Sequence, residues 1–265
     1  MPDATAAAGA AAAGQRAAPG GQRPARRGRL PSVAEADIRR VARKLLTEAG
    51  PEAMTLRAIA RELGVTAPAL YRHYASHEEL TDALRTEICL DLAERLAAEA
   101  AEVPGEDGLL QLFAICRGFR RWALAHANEF TLVFASPHRA RTDGPRPYEE
   151  PFGRVFLAAA GRLLTGYDPA LPAAESVPAG VRDDLIRYRG ELLAMLAGTG
   201  EHFPADKLGL GLTYLMITLW ARLYGHVTLE VFGNYPLPVR DPDALFDAVL
   251  ADLARDFGIG DGFAG

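Results

Sequence analysis

Met54–Leu84 reads MTLRAIARELGVTAPALYRHYASHEELTDAL, and the places where this stretch stops and restarts decide the fold. Thr55 is placed to cap a helix, after which Leu56, Ile59, Ala60 and Leu63 recur at the spacing of one helical face. Gly64 ends that helix, because glycine enters the left-handed region without a Cβ penalty. Val65 returns to the core and Thr66 opens a second helix reaching Tyr74, with Pro68 in the first turn, where no intrahelical N–H is required. Ser76-His77-Glu78-Glu79 then matches a capping box at the start of a third helix. Helix, glycine turn and helix together make the helix-turn-helix pattern, whose second helix enters the DNA major groove.

The second helix turns Leu70 inward and leaves Ala67, Pro68, Ala69, Tyr71, Arg72 and His73 on its other faces. Small residues at its start let the backbone approach base edges, and alanine methyls can touch thymine methyls. Tyr71, His73 and His77 are donors suited to phosphate oxygens. This stretch is similar to the DNA-binding domain of the tetracycline-repressor (TetR/AcrR) family. The resemblance runs from Ile38 to Leu84 and rests on Thr55, Arg57, Ala60, Leu63, Gly64, Val65, Ala69, Leu70, Tyr71, His73, Tyr74 and Leu80. It implies that Arg57 reads a guanine and that Thr55, Thr66 and the second helix face the duplex. His77 stands where the family usually has a phosphate-gripping lysine. His73 and His77 straddle a helix end with no carboxylate or thiol pattern beside them, so no metal site is expected.

Charge is divided along the chain. Residues 1–81 carry twelve Lys+Arg and eight Asp+Glu, a net +4, whereas the remainder carries 17 against 26, a net −9, giving −5 in all. The positive part lies in and before the helix-turn-helix, as an electrostatic footprint for DNA requires. Cys89 and Cys116 are isolated, without CxxC spacing, so a reducing compartment and two buried thiols are expected.

Residues 1–31 are almost all Ala, Gly, Pro, Arg and Gln and read as a disordered tail without the h-region of a signal peptide. Arg23, Arg26, Arg27 and Arg29 stand just before the first helix, where a basic arm could track phosphate. The spacing predicts helices over 32–49, 77–101, 107–127, 128–135, 149–164, 181–197, 208–232 and 241–257, and no strand. The expected architecture is all-α: a head over 32–81, a larger helical regulatory and dimerisation domain over 82–257, and a flexible end over 258–265.

Leu208–Phe232 is apolar enough to raise a membrane span, but Arg222, His226 and Glu230 interrupt it and neither flank is basic. It reads instead as a buried helix, which with 241–257 resembles the paired C-terminal helices through which TetR-family proteins dimerise. Leu212, Leu219, Leu223, Leu245, Val249 and Leu253 are the candidate interface. Trp220–His226, WARLYGH, also looks like the Trp/His-Gly signature of one family branch, with Tyr224-Gly225 in place of His-Gly. Phe119, Trp122, His126, Phe130 and Phe134 are candidates for a ligand pocket, together with Phe152, Phe156, Trp220 and Tyr224.

GxSxG, HExxH, a P-loop and a dinucleotide fingerprint are all absent from the sequence, so a cofactor-free regulator rather than an enzyme is expected. The expected partners are a double-stranded, near-palindromic operator, a small-molecule effector and a second copy of the chain, in the cytoplasm. The alternative is a DNA-binding regulator that no small molecule releases.

Overall fold

The computed structural model describes residues 34–105, 107–135, 150–168, 171–197, 203 and 206–258, and no strand occurs among them. The basic run at 23–29 and residues 136–149 and 259–265 lie outside the described residues.

The head begins with α1 (Glu35–Ala49), whose apolar stripe buries Ile38, Val41, Ala42 and Leu46; Leu45 is half-buried beside it. Thr55 caps α2 (Leu56–Glu62) by accepting from the Ala58 N–H at 3.1 Å. Gly64 follows at φ +67°, a backbone setting that favours glycine. The second motif helix, α3, is shorter than the sequence spacing predicts: it covers Ala67–Leu70 and continues as turns to Tyr74. The reason is Tyr74, which leaves the helical path to fill the head core at 4% exposure. Its hydroxyl accepts a hydrogen bond from Arg39 at 3.0 Å. Thr66 occupies the cap position of α3 without making a side-chain cap bond.

Ser76 starts α4 (His77–Ala101) by accepting from the Glu79 N–H at 3.1 Å, while the Glu79 carboxylate accepts from the Ala75 N–H. Leu80, Leu84, Ile88, Leu92 and Leu96 follow at four-residue spacing and all are buried, so one face of α4 is packed from end to end. Against it lies α5 (Gly108–Ala125), capped by Asp107 on the Leu109 and Leu110 N–H groups. A Cβ at Gly108 would overlap the backbone nitrogen of Leu163, so glycine permits the close crossing of α5 and the helix that carries Leu163.

The chain then makes α6 (Ala127–Phe130) and a π-helical turn, Thr131–Ala135. Next come α7 (Glu150–Gly166), α8 (Arg182–Ala197), α9 (Leu210–Val231) and α10 (Pro242–Asp256). Helix α9 packs on α5, α8 and α10. Arg120 of α5, 9% exposed, holds the last two together by pairing with Glu230 on α9 and Asp243 on α10, each at 2.6 Å. Tyr167 donates to the Gly258 carbonyl at 3.1 Å, which ties the end of α7 to the residues after α10. Among the described residues no helix, α9 included, is long and apolar enough to cross a membrane.

Candidate nucleic-acid interface and ligand cavity

The outer face of the head carries Arg57 on α2 together with Pro68, Tyr71 and Arg72, all exposed, with Tyr71 at 55%. Thr55 and Thr66 are exposed on the same motif, and Ala67 and Ala69 are half-buried at the start of α3. An exposed tyrosine and two arginines around a small-residue helix start suit a surface that meets a duplex.

Two of the candidate phosphate contacts also have partners inside the protein. His77 is exposed, and its Nε2 lies 2.5 Å from the Met54 carbonyl, a pairing that ties the start of α4 to the turn before α2. His73 is half-buried, with Nδ1 3.8 Å from Glu35, so it sits at the edge of the exposed face.

Behind the head, α1 is bound to α4 and α6 by charge. Arg39 Nε meets Glu87 at 2.9 Å, and Arg43 pairs with Asp91 on α4 and, through Nε at 2.7 Å, with Glu129 on α6. The Glu129 side chain is 3% exposed, and its second oxygen lies 3.2 Å from His126 Nδ1 without hydrogen-bond geometry. Asn128 donates to the Thr47 carbonyl of α1 at 3.1 Å, and Arg85 of α4 donates to the Leu132 carbonyl in the π-helical turn at 3.1 Å.

A cavity of 220 Å³ lies between α5, α7, α8, α9 and α10. Phe134, Phe152, Phe156 and Trp220 are on its wall. The other five pocket candidates are a correction, since Phe119, Trp122, His126, Phe130 and Tyr224 do not line it. Phe119 is fully buried and its ring centre lies 5.2–6.5 Å from those of Phe152, Phe134, Trp220, Phe130 and Trp122, so it is the hub of an aromatic core behind the wall. Trp122 stacks on His126, and Tyr224 donates to the Phe134 carbonyl at 2.7 Å, which fixes the π-helical turn from behind. Sequence reasoning missed the α8 wall, Tyr188, Leu192 and Met195, although their i, i+4, i+7 spacing was there to be read. It also passed over Cys116 as a wall residue; burial pushes that thiol up to about 12, so it stays protonated.

The interface candidates divide as well. Leu212, Leu223 and Leu253 are at 1%, 3% and 7% exposure inside the protomer, and Leu219 lines the cavity, so these four face inward. Leu245, at 38%, and half-buried Val249 remain on the outside of α10. Ile217 (40%), Ala221 and Leu229 (39%) are outward apolar positions on α9. The spacing misled because α9 is apolar nearly all round, so its pattern does not say which face meets its own core.

The described residues contain no group of three or more His, Cys, Asp or Glu placed to hold a metal.

Comparison with known proteins agrees with this geometry. Residues 38–84 match the family model for bacterial regulatory proteins of the tetR family, and residues 112–253 match the tetracyclin repressor-like C-terminal domain. HTH-type transcriptional regulators of Mycobacterium bovis and Mycobacterium tuberculosis are 30% identical over 219 residues, covering 81% of this chain and 88% of theirs. The fold is shared with the solved regulatory protein SCO4313, at TM-score 0.52 and 24% identity over 83% of this chain and 94% of that one. A protein of unknown function from Rhodococcus sp. RHA1 has TM-score 0.50 and 20% identity over 89% and 99%. With both halves matched in order and the relatives covered nearly end to end, the chain belongs to the TetR family of DNA-binding transcriptional regulators.

Proposed function

We propose that the protein is a ligand-released repressor, a cytoplasmic homodimer that binds a near-palindromic operator and lets go when a small molecule fills the cavity. The observation that carries this is the wiring between the two sites. Phe134 lies on the cavity wall and belongs to the π-helical turn that Arg85 of α4 grips through Leu132. One residue before that turn is Phe130, and before it Glu129, the buried partner of Arg43 on α1. π-helical turns are uncommon and recur at functional sites.

Two heads on a two-fold axis would present their α3 segments to successive major grooves about 34–36 Å apart. A ligand that favours a different turn geometry would alter that spacing by moving α4 and α1 together. Release needs a differential affinity for the two states of about 1–3 kcal/mol. The outward apolar positions on α9 and α10 support pairing through those helices. Arg57 is the proposed base reader, and Tyr71 and Arg72 the proposed phosphate contacts.

A mobility shift with the DNA flanking the gene for this protein tests the proposal. Specific retardation that a small molecule relieves supports it; retardation that no cavity-binding compound relieves favours a ligand-independent regulator.

A further inference from the structure

The cavity also carries information about what can fill it. We propose that it takes a neutral, ring-bearing apolar molecule larger than a single benzene ring. This rests on the reading of the cavity as the effector site.

Charge comes first. Glu150 is the one carboxylate among the described lining residues, and it is already ion-paired with Arg154, one turn along α7. Among the described residues the wall therefore offers no unpaired charge to a charged guest. The buried Cys116 thiol, shifted upward by desolvation, reports how poorly this wall supports a charge. An ion entering would lose hydration without gaining a counter-charge, which is strongly unfavourable.

Shape comes second. Phe134, Phe152, Phe156 and Trp220 meet edge-on or tilted, with Phe152 5.4 Å from Trp220 at 63° and 5.0 Å from Phe156 at 61°. Rings set at such angles present both faces and edges, the arrangement into which another ring fits. The 220 Å³ volume exceeds the roughly 150 Å³ of an apolar cavity that accepts benzene. Met195 on α8 and Met216 on α9 are unbranched and can repack around guests of different outline.

Three molecules sharing one two-ring skeleton test this on the full-length protein by titration calorimetry: naphthol (neutral), naphthoate (anion) and naphthylmethylammonium (cation). Naphthol should bind at least about tenfold more tightly than either ion. Gly153→Leu should abolish naphthol binding, because a Cβ at Gly153 meets nothing within 4 Å and the added side chain can enter the cavity. Ala160→Leu, on the same wall, should do so independently if the first variant folds poorly. Tighter or equal binding of either ion, no binding of naphthol, or unchanged naphthol binding in both folded variants would overturn the proposal. Naphthol that binds in the cavity yet leaves operator affinity unchanged supports the ligand class and instead overturns release by ligand.

Discussion

Arg43 and Glu129 are 86 residues apart in the chain, and the guanidinium Nε of the first donates to the carboxylate of the second across 2.7 Å. The contact joins the opening helix of the DNA-binding head to α6. Glu129 is 3% exposed, and burial, which lowers the Arg43 pKa, is outweighed by the bonds to Glu129 and Asp91, which hold it above its ordinary value. Phe130 follows immediately, with its ring 5.5 Å from that of Phe134 on the cavity wall. A chain of packed rings therefore ends at the charge that holds the head.

Glu129→Ala should lower unfolding free energy by about 2 kcal/mol, the scale of a hydrogen bond to a charged group. The loss is held to that size because Arg43 keeps Asp91. Denaturant unfolding of the purified protein measures it; a change within about 0.5 kcal/mol would mean that the pair contributes nothing to holding α1.

Arg57 and Tyr71 should separate in a binding-site selection. Arg57→Ala should flatten preference at one symmetric base-pair position, since an arginine–guanine pair gives about 1–3 kcal/mol of discrimination. Tyr71→Phe should lower affinity for all sites in similar proportion, because phosphate contacts carry no sequence information. Unaltered base preference in the Arg57 variant would remove its role as a reader.

Ile217→Asp and Leu245→Asp should shift the sedimentation coefficient towards the monomer while leaving the helical content intact. Both side chains are outward in the protomer, at 40% and 38% exposure, so their loss costs little inside it. A dimer unchanged in both variants would place the interface on another surface.

The pH dependence has a defined sign. His226 is 8% exposed, and burial, aided by Arg120 and opposed by Glu230, holds its pKa below the ordinary 6.5. The unfolded chain therefore takes up a proton first as pH falls. Stability from this group is present above pH 6.5 and is lost as pH drops through 6.5 towards the lower folded value. Thermal melts of the protein and of His226→Gln should differ in slope within that window; parallel curves would assign the acid loss to other groups.

The head was legible because caps, glycine and proline are local signals. Thr55, Gly64 and Ser76 do in space what their positions in the sequence imply. What escaped depended on distant residues. The bond from His77 to the Met54 carbonyl joins elements 23 residues apart, and Tyr74 shortens α3 only because a core is there to receive it. The cavity was half legible for a similar reason. Aromatic residues mark the layer between helices, but whether a ring lines a void or fills the core behind it depends on how five helices meet. Phe152 and Phe119 carry the same side chain 5.2 Å apart and fall on opposite sides of that distinction.

The most direct measurement is operator affinity of the full-length protein, by fluorescence anisotropy, with the cavity empty and with it occupied by a compound whose binding calorimetry has established. Occupancy should weaken operator binding by about 5–150-fold, and Glu129→Ala should reduce that ratio by loosening the link between α6 and α1. An operator affinity that stays the same while the cavity is demonstrably filled would contradict ligand release.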